Sequence, residues 1–378
     1  MPANAHITGW GSYLPERRLT NDELAARLDT SDEWIRSHTG ISERRIASDG
    51  ESTASMAIEA AKQALLVANL EPRRLDLIIV ATISPEFIFP ATACLVQDAI
   101  GAKAAAAFDI SAGCSGFVYA LALADQAIRS GSAKAALVIG SETLSRFVDW
   151  DDRRTCILFA DGAGAVVVQA SDMPGGILST CLGSDGSGAD LLFIPAGGAR
   201  RPASAETLSQ REHYIQMDGR AVYRFAVNSL ARSTRLALEK AGLDLRDMSL
   251  LIPHQANGRI ISAAAEALGV SEDRIVEAVA WCGNTSSASI PIALCQAIAG
   301  GRIKEGDVLV LSGFGAGLTW GAAAIRWSRL PTEPGRLRLI WYRTGYRAAA
   351  TRSRLRRLWR RWLAKLAAWF ANGSNSSQ

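Results

Sequence analysis

Three residues could do chemistry together. Cys114 sits in 108–116 (FDISAGCSG), where a strand-like run leads in and helical spacing over 117–130 leads out. Small residues on both sides permit a tight strand-to-helix turn and close approach by a substrate. A thiol at a helix start faces unpaired backbone N–H groups, which favour the thiolate and can accept a developing oxyanion. His254 follows a buried strand in 251–257 (LIPHQAN), and strand ends are where α/β sheets present functional groups. Asn284, in 282–287 (CGNTSS), is by itself only a turn residue or helix cap.

A cysteine, a histidine and an asparagine suit thioester exchange. A thiolate accepts an acyl group from another thioester at little thermodynamic cost, because one thioester replaces another. Imidazole and amide can then polarise a second thioester carbonyl as enolate charge develops. Papain-like hydrolases use the same residue types, but their local cysteine motif is absent. Cys94, Cys156, Cys181 and Cys295 read as small buried residues, with Cys282 a second thiol candidate. The loop 313–318 (GFGAGL) follows an apolar run and, as a flexible loop, could offer N–H groups to a carbonyl oxygen. The 161–165 stretch (DGAGA) reads as a tight turn into a strand. Neither GxGxxG nor GxxxxGK[ST] occurs, so nucleotide-phosphate transfer has no support.

The elements that must position these groups alternate. Apolar runs at 75–82, 135–141 and 164–169 read as strands buried on both faces, while 52–68 and 115–130 carry helical periodicity. The pattern recurs: 64–80 matches 237–253 with seven identities in seventeen at a shift of 173, and Gln126-Ala127-Ile128 returns as Gln296-Ala297-Ile298 at a shift of 170. At that second shift Cys114 falls opposite Asn284. Two equivalent halves about a pseudo-twofold would bring such loops together at their shared centre. We therefore expect two duplicated α/β halves, 1–172 and 173–330, followed by a separate tail, 331–378.

Composition bounds the function. With 48% apolar and 21% charged residues the chain is globular. Its net charge of +4 is misleading, because 331–378 holds eleven Lys/Arg against one acid, leaving the body at −6. A generic nucleic-acid binder is excluded. Four histidines and no CxxC argue against a metal cluster. There is no apolar signal segment and no run of 18 strongly apolar residues, so a cytoplasmic protein with reduced thiols is expected.

Across 4–328 the sequence resembles the β-ketoacyl-[acyl-carrier-protein] synthase III family, whose fold is the thiolase-like layered αβαβα arrangement. The resemblance rests on 31–40 (SDEWIRSHTG), 112–117 (AGCSGF), 159–165 (FADGAGA), 253–257 (PHQAN), 283–286 (GNTS) and 314–321 (FGAGLTWG). It implies that Cys114 takes an acyl primer from acyl-CoA. His254 and Asn284 then promote decarboxylation of malonyl-ACP (ACP, acyl carrier protein), and 3-oxoacyl-ACP results, initiating fatty-acid synthesis without a cofactor. The oxyanion donors would be the N–H groups of Cys114 and Ala316; glycine is frequent at the latter position, and a backbone donor survives the change. Trp34 and Arg153 match positions flanking the CoA adenine, and Asn257 one near the pantetheine arm. His38 stands where a phosphate-binding arginine is common, and imidazole is the weaker phosphate partner. Arg224 and Arg259 match positions that dock ACP, while Glu266 replaces a usual basic residue. Phe89 resembles the residue that floors the partner's acyl pocket, so a homodimer is implied.

Neighbouring families differ at the same residues. Elongating condensing enzymes have a second histidine where this chain has Asn284. Thiolases place a second catalytic cysteine near the glycine loop, and 313–321 has none. Chalcone-synthase-like or other starter-condensing enzymes of polyketide-type metabolism share Cys-His-Asn and form the nearest alternative. From another class, a non-catalytic acyl-carrier-binding scaffold remains open. In the tail, 352–370 places Leu355, Leu358, Trp359, Trp362, Leu363, Leu366 and Phe370 on one helical stripe among seven basic residues. A basic amphipathic helix with tryptophans suits an anionic membrane surface, with acidic carrier protein or an acidic patch of the body as alternatives.

Overall fold

The computed structural model describes residues 4–328 and, beyond them, 351–352, 355–356, 358–360 and 362–364. The first half is built on strands β1 (Asn4–Tyr13), β2 (Leu77–Ala81), β3 (Ala106–Ile110), β4 (Ala135–Thr143) and β5 (Asp161–Ser171), in the spatial order β1-β5-β4-β2-β3. β2 runs parallel to β3 and β4, whereas β5 is antiparallel to β4 and β1. The runs LIIVA and AALVIGSET lie between helical layers, which is why they read as unbroken apolar segments rather than alternating ones.

The second half uses β6 (Gly176–Ser184), β7 (Leu250–Pro253), β8 (Val308–Gly315) and β9 (Thr319–Arg326), in the order β7-β8-β9-β6. Its directions repeat the first half: β7 and β8 are parallel, β9 antiparallel to both neighbours. Thus β6, β7, β8 and β9 answer to β1, β2, β4 and β5. Where β3 has its counterpart, a single parallel bridge joins Leu251 to Ile275, with Val276 N donating to Leu251 O at 2.9 Å.

Seven helices matter to the site: α1 (Asp32–Thr39), α2 (Thr53–Val67), α3 (Thr92–Ile100), α4 (Gly116–Arg129), α5 (Gly219–Lys240), α6 (Gly258–Leu268) and α7 (Ser289–Ala299). α4 and α7 contact both sheets and form the middle layer, their Phe117, Leu121, Ile290 and Leu294 sharing one core with Val138, Val166, Leu309 and Leu311. α2 and α3 cover the outer face of the first sheet and α5 and α6 that of the second, which completes the expected αβαβα layering. Local signals set the helix ends: Ser52 closes a capping box with Ser55 before α2, and Asn257 caps α6, which stops at Gly269 with φ 69°.

Two expectations need correction. The 161–165 stretch is not a turn into a strand but already the first residues of β5, with the Asp161 carboxylate buried and accepting from Ala47 N and Ser145 N at 2.7 and 2.8 Å. The 313–318 stretch is not a free loop, since Gly313, Phe314 and Gly315 are the end of β8, paired to Gly321, Trp320 and Thr319 of β9. In the tail the ten described residues are helical and exposed, and the rest of 331–378 lies outside the described residues. No helix among the described residues is long and apolar enough to cross a membrane.

Candidate active site

The nucleophile turn lies between β3 and α4, where Gly113 takes φ 55°. Cys114 is almost fully buried there. The turn interlocks with the β8–β9 turn: a Cβ on Gly113 would stand 2.6 Å from Ala316 N, and one on Gly315 2.3 Å from Cys114 N. Glycine at both positions is what lets the two backbone segments touch. Hydroxyls hold the pair in place. Ser115 Oγ lies 2.7 Å from Ala112 O and 2.9 Å from Thr319 Oγ1, which in turn lies 2.8 Å from Ala112 O and 3.0 Å from Ala316 O. The N–H groups of Cys114 and Ala316 are thereby brought to one small region, as an oxyanion-binding pair requires.

His254 follows β7, its N–H donating to Ser312 O at 2.8 Å. The ring is buried and edge-on to Phe314, centroids 5.2 Å apart. Burial lowers its pKa to about 3, so the imidazole is neutral. Nδ1 is 2.6 Å from Ser289 Oγ, which also accepts from Gln255 N. Ser289 Oγ has no other acceptor among the described residues, and with its proton given to Nδ1 the ring carries its own proton on Nε2, as a donor.

Asn284 is strapped to the first half through its backbone: its N–H donates to Leu158 O and its carbonyl accepts from Ala160 N, both at 2.9 Å. Its Oδ1 accepts from Ser286 N at 2.9 Å. Among the described residues no hydrogen bond takes up Nδ2, so the amide N–H groups remain available. Phe159, between those two anchors, lines the same cavity of about 380 Å³ as Cys114, together with Ile83, Leu192, Ile194 and Ile215.

The site thus assembles Cys114 and Ala316 directly. Asn284 joins them through Phe159, and His254 through Phe314, which immediately precedes the Gly315–Cys114 contact. The Ser286 side chain faces the sulfur and favours its ionised form, although its Oγ closes no hydrogen bond. Two expectations fail on burial. The helix start does not yield a resting thiolate: desolvation raises the Cys114 thiol to about 12, and Gly116 N is already bonded to Gly113 O. Cys282 is no second nucleophile, being buried off the cavity, with its thiol donating to Ala278 O at 3.1 Å and raised to about 12.

Four of the five residues singled out for substrate contact lie together. Trp34 stacks on His38 with centroids 4.2 Å apart, Arg153 sits 5.0 Å over the Trp34 ring, and Asn257 Nδ2 donates to His38 O at 3.0 Å. Phe89 stands apart, 84% exposed beside Ile88 at 87%. Arg224 on α5 and Arg259 on α6 are exposed, and Glu266 shares a groove with Arg259. Sequence reasoning missed Phe159, Ser289, Thr319 and the apolar wall at 192–194. Phe159 and Thr319 carried a signal, the first at the head of FADGAGA and the second within FGAGLTWG.

Two family models match the chain, both described as 3-oxoacyl-[acyl-carrier-protein (ACP)] synthase III, one over 108–186 and its C-terminal companion over 238–327. A beta-ketoacyl-[acyl-carrier-protein] synthase III of Caldanaerobacter subterraneus is 52% identical over 325 residues, which is 86% of this chain and 98% of that one. The chain belongs to the β-ketoacyl-[acyl-carrier-protein] synthase III family. Members of this family are condensing acyltransferases of fatty-acid synthesis, and this chain is such an enzyme. The Clostridioides difficile synthase III is 50% identical over 328 residues, covering 87% of this chain and all of its own. The crystal structure of the Aquifex aeolicus synthase III superposes with a TM-score of 0.79 at 50% identity, over 85% of this chain and 100% of that one. The priming β-ketosynthase of the R1128 polyketide pathway has a TM-score of 0.81 but 35% identity, over 88% and 99%.

Proposed function

We propose that Cys114 takes a short acyl group from acyl-CoA and that His254 and Asn284 serve the condensation with malonyl-ACP. The observation that carries this is a thiol on an apolar cavity, with an uncommitted carboxamide anchored on either side of the cavity residue Phe159 and a neutral imidazole against Phe314, next to the Gly315–Cys114 contact. In the first half-reaction the Cys114 S–C bond forms as the CoA S–C bond breaks, and the thiol proton leaves with CoA. In the second, malonyl-ACP loses CO₂, and the enolate oxygen rests on Nε2–H of His254 and the Asn284 amide. The enolate carbon attacks acyl-Cys114, whose carbonyl oxygen is held by the N–H groups of Cys114 and Ala316. The expelled thiolate takes up one proton, and 3-oxoacyl-ACP departs. These groups suffice without a cofactor; acyl-CoA and malonyl-ACP are substrates.

Around this centre, Trp34, His38, Arg153 and Asn257 form the CoA entrance, with His38 a weaker phosphate contact than arginine. Arg224 and Arg259 receive the acidic carrier, and Glu266 weakens that patch. Phe89 meets a second copy of the chain in a homodimer. The body is cytoplasmic, and the basic stripe at 352–370 holds it to an anionic membrane surface. Incubation with labelled acetyl-CoA tests the core of this reading. Label on Cys114 that is absent in Cys114→Ala, followed by 3-oxoacyl-ACP on adding malonyl-ACP, is expected. A labelled enzyme that forms no product with any short primer would instead favour the polyketide-type starter reading, and an unlabelled one a scaffold.

A further inference from the structure

Glu142 is a carboxyl that the steps above leave unused. It ends β4 without exposed surface, and no cation among the described residues lies beside it. Its surroundings are instead neutral, with four donors on Oε2 and a serine hydroxyl on Oε1. Thr82 Oγ1, Ser84 Oγ and the N–H groups of Ile83 and Ser84 reach Oε2 at 3.1, 2.6, 3.1 and 3.1 Å. Oε1 faces Ser287 Oγ at 2.8 Å and shares the Ile83 N–H, at a longer 3.3 Å. The donors come from two segments of functional interest: 82–84 leads into the loop bearing Phe89, and Ser287 closes the turn that presents Asn284.

The protons can be counted. Ser287 Oγ is 2.8 Å from Oε1 and also 2.7 Å from Ala81 O, yet a hydroxyl carries a single proton. With Glu142 ionised, one of these two short contacts sets lone pair against lone pair. With Oε1 protonated, Glu142 donates to Ser287 and Ser287 donates to Ala81 O, so both become hydrogen bonds. Oε2, facing donors alone, is then the carbonyl oxygen. Burial acts in the same sense, raising the carboxyl above its ordinary range, and a negative charge here would oppose ionisation of Cys114.

We propose that Glu142 is held as the neutral acid and is a positioning residue for the carbon–carbon bond-forming half-reaction: through Ser287 it fixes the turn that presents the Asn284 carboxamide, while placing no charge beside the Cys114 sulfur. The inference rests on the role given to Asn284 above. Glu142→Gln mimics the neutral acid, its amide N–H₂ reaching Ser287 and its oxygen meeting the other four donors, whereas Glu142→Leu removes the link.

The test uses the full chain. In infrared difference spectra, wild type minus Glu142→Gln shows a protonated-carboxyl C=O band. The Gln variant keeps malonyl-ACP decarboxylation within about threefold of wild type. Glu142→Leu lowers its kcat by about tenfold or more while KM for malonyl-ACP and the acylation rate stay nearly unchanged. Absence of the band overturns the proposal, as does a Gln variant damaged as much as the Leu variant, or equal slowing of both half-reactions by Leu. If Glu142→Leu does not fold, the band and the Gln rates decide. A wild-type enzyme that does not decarboxylate malonyl-ACP would defeat the reading of Asn284, an outcome the infrared result does not depend on.

Discussion

At the scale of single residues, burial sets the protonation states from which the chemistry starts. His254 titrates near 3 rather than its ordinary 6.5 because its charged form has no solvation. A neutral Nε2–H can donate to an enolate at any pH where the enzyme is folded, without first having to lose a proton. Linkage gives this a measurable sign. Between pH 6.5 and about 3 the unfolded chain binds a proton that the folded chain does not, so His254 makes stability fall as pH falls through 6.5. In urea unfolding at pH 7 and pH 5, His254→Asn should lose less stability between the two pH values than wild type. The same variant should still be acylated on Cys114 yet decarboxylate malonyl-ACP at least about a hundredfold more slowly, as loss of a transition-state donor predicts; equal loss of both half-reactions would contradict the assigned role.

At the scale of elements, the start of α7 must lie against the first sheet to deliver Asn284 and Ser289. Gly140 of β4 makes this possible: a Cβ there would fall 2.2 Å from Ser287 O. Gly140→Ala should therefore cost about 1–3 kcal/mol through overpacking and impair decarboxylation more than acylation, since the turn at 284–287 is what moves. Thermal unfolding and the separate half-reaction rates check this. The strands at 77–81 and 135–143 and the helices at 53–67 and 116–129 were legible within two residues of their observed ends, because apolar runs and caps are local signals. The 161–165 stretch was misread because glycines in a strand mimic a turn; here Gly164 is small so that Pro291 of α7 can approach, a contact no local pattern reveals.

At the scale of the whole molecule, Phe87, Ile88 and Phe89 form a contiguous apolar knob 54%, 87% and 84% exposed, the kind of surface that marks an interaction site. If the proposed homodimer forms through this knob, Phe89→Asp should sediment as a monomer where the unaltered chain sediments as a dimer, and primer acylation should fall. Among the described residues an exposed Arg356–Asp98 pair at 3.0 Å links the tail to the body, and a pair so exposed contributes no more than about 1 kcal/mol. The Caldanaerobacter relative is covered to 98% by 325 residues of this chain, so removing 331–378 should leave condensation with soluble ACP unchanged while abolishing co-sedimentation with phosphatidylglycerol vesicles. Binding that persists after the deletion would refute the membrane role, and loss of condensation would point to the carrier protein instead.

The chain order of residue types was enough to mark the layered α/β fold and the glycine-flanked thiol turn, and to single out the Cys114-His254-Asn284 set proposed for the chemistry. These depend on local apolar periodicity, on backbone freedom at glycine and on chemical identity, all of which are written in short stretches. Tertiary structure alone decided that burial holds the thiol protonated and the imidazole neutral, and that residues 145 positions apart, Glu142 and Ser287, meet in a buried hydrogen bond. Those outcomes come from desolvation and from contacts across the sheet–helix layers, and neither exists until the two halves close on each other.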